Sequence, residues 1–242
     1  RAILTPIDHG LWYGPMPGIE DPVSVASTVT DGSDGLLIAP GFARAISDVL
    51  PSDRALALRV GTSTDLSPMQ SYESIFAGIE TALRLDADAM VHTLYMGSER
   101  DEQAIRDLGM LIEVAARYDM PVIAEFLPFD SNFKPATVAQ WARLGFELGA
   151  DVIKTLYTGD VESFSRVVKG CRLPVVIAGG PVVGTEPDLL RTVAAAIEGG
   201  AAGTAIGRRV WQSSDPGKML TLFGHLVHGT HSLDQVLSML PA

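Results

Sequence analysis

The sequence predicts a single α/β domain spanning residues 1–242 and folded as a (β/α)8 TIM barrel. Short apolar runs alternate with longer amphipathic ones from end to end, the rhythm of βα units joined into a parallel sheet. Eight such units in 242 residues match the count and length of a barrel. A doubly wound sheet uses fewer strands and opens its first turn with a glycine fingerprint, and no such fingerprint follows Ile7.

Strands are expected over residues 2–7, 35–39, 55–60, 89–95, 121–127, 151–156, 174–178 and 203–206, each rich in Val, Ile, Leu or Ala. Helices are expected between them, over 71–85, 99–118, 135–148, 161–168, 186–198 and 216–228, with a short terminal helix at 232–240. Two boundaries carry explicit signals: Pro51-Ser52-Asp53 ahead of the third strand, and Asp215 before Pro216 at the start of the last long helix. Met110, Met120, Trp141 and Phe146 fall at helical spacing and are read as core.

The chain is 47% hydrophobic and 19% charged, which suits one sizeable core better than two small ones. Its net charge of -11, with no run of Lys or Arg, excludes a nucleic-acid backbone or an anionic membrane as partner. An anionic small substrate would therefore need local cations. The single cysteine, Cys171, rules out an internal disulfide framework and fits a reducing cytoplasm. No signal peptide or membrane-length apolar run is found, and the abrupt start at Arg1 before a strand leads us to expect native residues ahead of it.

A barrel carries its site at the C-terminal ends of its strands, and the residue to explain there is Lys154, within Asp151-Val152-Ile153-Lys154-Thr155-Leu156-Tyr157. A lysine is rarely buried without a partner, because desolvation disfavours the ammonium. One that gives up its proton can form a Schiff base with a carbonyl; the bland reading is an edge-strand lysine with its head in water. Strand parity turns Lys154 inward with Val152 and Leu156, and Asp8, in parity with Leu4 and Pro6, enters the same cavity. The amine can form an iminium that acts as an electron sink while the carboxylate shuttles protons; a structural ion pair is the alternative. Gly179-Gly180-Pro181 and Gly207-Arg208 after the last two strands offer backbone N–H groups where many barrels bind phosphate, with Arg208 or Arg209 supplying charge.

The segments Ile7-Asp8-His9-Gly10, Gly14-Pro15-Met16-Pro17-Gly18-Ile19-Glu20-Asp21-Pro22, Val152-Ile153-Lys154-Thr155-Leu156-Tyr157-Thr158-Gly159-Asp160, Pro174-Val175-Val176-Ile177-Ala178-Gly179-Gly180-Pro181 and Ile206-Gly207-Arg208-Arg209-Val210-Trp211-Gln212 run in order through the whole chain. Together they resemble the class I aldolase family of archaeal-type fructose-bisphosphate aldolases and 2-amino-3,7-dideoxy-D-threo-hept-6-ulosonate synthases. The loop after the first strand and Val161-Glu162-Ser163-Phe164 lean to the heptulosonate synthase branch and its relatives in secondary metabolism. The resemblance implies that Lys154 is the Schiff-base lysine and Asp8 the acid/base carboxylate. It also implies a homo-oligomer, often a decamer in that family.

The family's Tyr-Pro-Arg-Gly turn after the fifth strand is replaced by Leu127-Pro128-Phe129-Asp130, and leucine moves no proton. Glu125, one inward layer deeper, is the first candidate replacement, with a pKa expected to be raised by burial. Tyr95 and Tyr157 compete for the role, and pairing with Arg59 is the alternative use of Glu125. Cations that relatives place near the phosphate are replaced by Phe129, Val182 and Pro40. Arg59 is the offered substitute, holding one phosphate or carboxylate rather than two phosphates, unless it pairs with Glu125 or Asp8. His9 is placed at the substrate beside Asp8, or else packs behind the strand; His92 is expected to be a hydrogen-bonded core histidine. Without a His/Glu spacing on one face, neither metal nor cofactor is expected.

The expected activity is a class I aldolase or transaldolase that makes or breaks a carbon–carbon bond through a lysine Schiff base. Its partners would be small ketones and aldehydes with at least one anionic group. A thiolase-like acyl transferase or an isomerase using the same lysine, or a non-catalytic sugar-binding barrel, are the competing expectations.

Overall fold

The computed structural model describes residues 1–66, 72–130, 134–180 and 184–240. The first half of the chain runs β1 (Ala2–Pro6), α1 (Gly10–Tyr13), α2 (Pro22–Val29), β2 (Gly35–Ile38), α3 (Pro40–Ala45), β3 (Ala55–Arg59), β4 (Gly61–Thr62), β5 (Ser74–Ile75), α4 (Ile79–Arg84), β6 (Ala89–Met96) and α5 (Asp101–Ala116). It continues with β7 (Val122–Pro128), α6 (Pro135–Leu148), β8 (Val152–Leu156), α7 (Val161–Cys171), β9 (Val175–Ala178), α8 (Glu186–Glu198), β10 (Gly203–Ala205), α9 (Arg208–Trp211), α10 (Pro216–Val227) and α11 (Leu233–Ser238). Eight parallel strands close into a barrel in the order β1-β10-β9-β8-β7-β6-β3-β2. All eight expected strands form, each bound shifted by a residue at most.

At the lower face, an aspartate just before a strand accepts from an N–H at the start of the neighbouring barrel strand. Asp34 takes Ile3 N (2.7 Å), Asp88 takes Leu56 N (2.7 Å) and Asp151 takes Val122 N (2.8 Å). Inside the barrel Leu37, Ala57, Val91 and Ile123 close the floor with Leu4, Ala89 and Val152. Outside, the larger core lies between strands and helices. Gly145 of α6 lets that helix approach β7 and β8: a Cβ there would stand 2.5 Å from Ile153 Cδ1 and 2.8 Å from Phe126 Cε2.

Helix boundaries follow local chemistry. Asp215 accepts from Lys218 N ahead of Pro216, and α7 runs on to Cys171 because only there does Arg172 turn left-handed at φ 64°. The helix expected over 71–85 is wrong in its first half. Ser74–Ile75 pairs antiparallel with Gly61–Thr62, and helix begins only after extended Gly78. The apolar spacing of Tyr72, Ile75 and Phe76 suits a helix, but Phe76 N bonds Val60 O across the hairpin (2.9 Å), and glycine disfavours helix continuation. Residue 71 of that expectation, Pro181 of the glycine turn and Val182 lie outside the described residues. Met110, read as core, is 61% exposed on the outer side of α5. Among the described residues no helix is long and apolar enough to cross a membrane.

Candidate active site

Sheet register stacks the inward side chains in layers above the apolar floor. Glu125 stands level with Thr93 on one side and Lys154 on the other; Arg59 at the end of β3 joins them. One layer higher, Tyr95 stands level with Leu127. These residues, with Asp8, Leu156, Gly179, Gly180, Gly207 and Arg208, line an open cavity of about 400 Å³ at the C-terminal end of the barrel.

Lys154 is only 5% exposed, and its Nζ lies 2.8 Å from Glu125 Oε1. The other Glu125 oxygen accepts from Arg59 Nη2 (2.6 Å) and from Thr93 Oγ1 (2.9 Å). Arg59 Nε donates to Asp8 Oδ2 (2.7 Å) and Nη1 to Thr93 Oγ1 (2.5 Å). One guanidinium therefore ties Asp8 to Glu125, and through Glu125 to the lysine.

This network corrects two expectations. Burial does favour the neutral form of Glu125, but Lys154 and Arg59 outweigh it and bring the carboxyl down to about 2. Glu125 is thus ionised at neutral pH rather than poised to donate. Arg59 is a counter-ion of Asp8 and Glu125, not a cation held open for substrate; burial works against its charge, yet those two carboxylates keep it firmly protonated. Asp8 too stays ionised: burial raises its pKa, and Arg59, His9 and Lys154 together lower it further than that.

His9 lines the cavity instead of packing behind β1. Its Nδ1 is 3.5 Å from Asp8 Oδ1 and its ring meets Trp211 edge-on at 5.5 Å. Burial, only partly offset by Asp8, takes it to about 4, so it is neutral at pH 7. Tyr95 faces the cavity against Trp12, ring centres 5.3 Å apart; burial and then Glu73 and Glu125 hold its phenol protonated well above the usual range. Tyr157 does not enter the cavity. It lies one position past inward Leu156, opposite in parity, and packs at a tilt against Phe164 of α7, ring centres 5.3 Å apart. His92 is buried outside the barrel wall, and neither ring nitrogen has a hydrogen-bond partner among the described residues, contrary to expectation.

At the other rim, Arg208 reaches Gly180 O (3.3 Å) beside the cavity mouth. Gly207 admits no side chain, since a Cβ would fall 2.3 Å from Pro6 O and 2.8 Å from His9 Cε1. The glycine turns and an arginine thus meet as the sequence suggested. Sequence reading missed Glu73, Trp12 and Thr93. Thr93 was accessible from parity with Glu125, whereas Glu73 reaches the cavity from a crossover hairpin that no period reveals.

Comparison with known proteins gives a consistent result. The family described as DeoC/LacD family aldolase matches residues 2–213. A 2-amino-3,7-dideoxy-D-threo-hept-6-ulosonate synthase 1 from Archaeoglobus fulgidus is 35% identical over 98% of this chain and 90% of its own. A 2-amino-4,5-dihydroxy-6-oxo-7-(phosphonooxy)heptanoate synthase from Streptomyces griseus is 31% identical over 95% of this chain and 86% of its own. Among solved structures, an archaeal fructose-1,6-bisphosphate aldolase with its catalytic lysine covalently bound to the substrate's carbinolamine intermediate superposes with a TM-score of 0.86. It is 31% identical and covers 95% of this chain and 94% of that one.

Proposed function

The chain belongs to the DeoC/LacD family of aldolases and is a class I, Schiff-base enzyme of it, and from that premise we propose that Lys154 is the residue that carries the substrate. The observation that supports this most is a lysine buried on the inward face of a closed barrel, at the floor of an open cavity, with a carboxylate 2.8 Å away. To attack a ketone the ammonium sheds a proton to solvent in the open cavity, while the ionised Glu125 carboxylate 2.8 Å away holds the amine in place. The amine adds to the carbonyl carbon, the carbinolamine loses water, and the iminium withdraws electrons from the bond to be cleaved or from the carbon that becomes nucleophilic. Asp8, fixed by Arg59 and beside His9, is the carboxylate assigned to proton movements at the carbinolamine.

The substrate is a phosphosugar or related ketone. We assign its anionic group to Gly179, Gly180, Gly207 and Arg208, the positive rim left once Arg59 is committed to Asp8 and Glu125. One such group is accommodated better than two, because the cavity wall at the end of β7 carries Leu127 and Phe129 rather than cations. We also place the enzyme in the cytoplasm, on the strength of its one buried free cysteine, and propose that it assembles with itself. Met110, Val114 and Tyr118 expose an apolar stripe along one side of α5 and the turn after it. Light scattering on the purified protein tests the assembly, and a monomer would refute it.

The Schiff base is tested by incubation with dihydroxyacetone phosphate, fructose 1-phosphate or fructose 1,6-bisphosphate, followed by borohydride and peptide mass spectrometry. The Lys154 peptide is expected to gain the mass of the reduced adduct, and Lys154→Met to gain none. An unmodified Lys154 peptide with all three probes refutes the assignment.

A further inference from the structure

Glu73 is 6% exposed and lines the catalytic cavity, although it belongs to none of the barrel strands. It precedes β5, where the hairpin of β4 and β5 leaves the barrel wall. The pairing of β3 with β6 ends at Arg59 and Val91. Just beyond, Thr93 N donates to Glu73 Oε2 (3.2 Å). The side chain thus fills the opening between the two strands. Gly61 makes the room: a Cβ there would stand 3.0 Å from Glu73 Oε2 and 2.4 Å from His92 Nδ1.

Charge decides what Glu73 does there. The buried group holds three carboxyls, Asp8, Glu73 and Glu125, against two cations, Arg59 and Lys154. Asp8 and Glu125 lie 2.7 and 2.6 Å from Arg59, while Glu73 lies 3.8 Å away. With one negative charge too many in a poorly solvated site, the carboxyl with the weakest cation contact is the one to hold a proton. The surroundings agree. His92 Nδ1 is 3.8 Å from Glu73 Oε2 and has no hydrogen-bond partner among the described residues. Burial, with Arg59 adding to it, keeps that ring neutral, at about 4, so it supplies Glu73 with no counter-charge at neutral pH. Among the described residues, Arg59, His92, Tyr95, Glu125 and Asp8 are the titratable and charged groups facing Glu73. Asp8 and Glu125 are ionised already, and Tyr95 holds its proton too tightly to release it at neutral pH.

We propose that Glu73 is the proton carrier of this aldolase, taking the place of the family tyrosine that Leu127 replaces; the inference rests on the Schiff-base reading of Lys154. In condensation the enamine carbon on Lys154 attacks the aldehyde carbon, the carbonyl π pair moves to oxygen, and the Glu73 acid gives its proton to that oxygen. The enamine becomes the iminium and Glu73 becomes a carboxylate. In cleavage the Glu73 carboxylate takes the hydroxyl proton, the carbon–carbon bond breaks, and its electron pair flows into the iminium to regenerate the enamine. Burial first, Arg59 opposing it and Glu125 reinforcing it, sets the Glu73 carboxyl at about 7, so both forms are available at neutral pH.

The two directions therefore depend oppositely on pH. In the wild type, kcat for condensing dihydroxyacetone phosphate with glyceraldehyde is expected to fall as pH rises through about 7, and kcat for cleaving fructose 1-phosphate to fall as pH drops through about 7. Glu73→Gln keeps an acceptor for Thr93 N and is expected to lose about 10²- to 10⁴-fold in kcat, with KM little changed and both pH limbs gone. Borohydride trapping of dihydroxyacetone phosphate on Lys154 should persist in this variant. Failure of trapping in the wild type would sink the Schiff-base reading, whereas normal trapping with undiminished turnover in Glu73→Gln would sink only the Glu73 proposal. Infrared titration reads the charge without any substrate: a carboxylic-acid carbonyl band should vanish with a midpoint near 7. Its absence from the wild type overturns the proposal even if Glu73→Gln does not fold, and its presence in the wild type but not in a folded Glu73→Gln supports it.

Discussion

Replacing Glu125 with glutamine tests whether this carboxylate holds the site together. The substitution keeps the volume and an oxygen for Thr93 Oγ1 but removes the charge that faces Lys154 at 2.8 Å and Arg59 at 2.6 Å. The Glu125 carboxyl stands at about 2 in the folded protein against an ordinary 4.5. At about 1.4 kcal/mol per pH unit, that depression corresponds to about 3 kcal/mol of stability from the ionised form. The sign follows from the lowered value: the contribution is complete above 4.5 and is lost as pH falls towards about 2. Removing one partner from a buried ion pair independently gives a loss of about 3–5 kcal/mol, because two cations are left under-compensated. Urea unfolding at pH 7 should therefore show Glu125→Gln less stable by about 3 kcal/mol or more, and the gap to the wild type should narrow steadily below pH 4.5. A variant within about 0.5 kcal/mol of the wild type at pH 7, the range of ordinary surface changes, would refute this reasoning. So would a gap that does not change with pH.

Other consequences are equally accessible. Gly145→Ala should destabilise by about 1–3 kcal/mol despite the better helix propensity of alanine, because the new methyl meets Ile153 and Phe126 in a filled core; thermal unfolding measures it, and a gain in Tm would show that α6 can move. Asp151→Ala removes the acceptor for Val122 N and should cost about 1–2 kcal/mol in urea unfolding, with borohydride trapping on Lys154 retained in the folded protein. Arg208→Ala should raise KM for dihydroxyacetone phosphate about 10- to 100-fold, the effect of about 1.5–3 kcal/mol in charge-assisted hydrogen bonding, and leave the trapping of uncharged hydroxyacetone unaffected; equal effects on both ketones would place the phosphate elsewhere.

What the sequence could say about this site depended on whether the relevant partner lies on the same strand. Parity along one strand is a local property, so inward Asp8, Glu125 and Lys154, and the meeting of the glycine turns with Arg208, were legible without coordinates. The same alternation, carried one residue past inward Leu156, turns Tyr157 to α7 instead of the substrate. Parity says nothing of which strands adjoin. Whether Arg59 is free or paired is a matter of sheet order, which set it between Asp8 and Glu125, and that pairing also reverses the expected direction for Glu125. Residues 71–85 failed for a related reason: their apolar spacing is helical, but Ser74–Ile75 has a partner strand in Gly61–Thr62, and tertiary pairing overrides propensity.

That failed helix is also why the proton carrier was invisible. A helix beginning at residue 71 would place Glu73 in its first turn, whereas the hairpin delivers the carboxyl through the gap between β3 and β6 to the far side of Arg59. Arg59 thus has one role in two places: it neutralises Asp8 and Glu125 strongly enough to keep both ionised, and leaves Glu73 short of a counter-charge. Leucine at 127 moves no proton, and the carboxyl that takes over the task is the one that its neighbours' charges leave titrating at about 7.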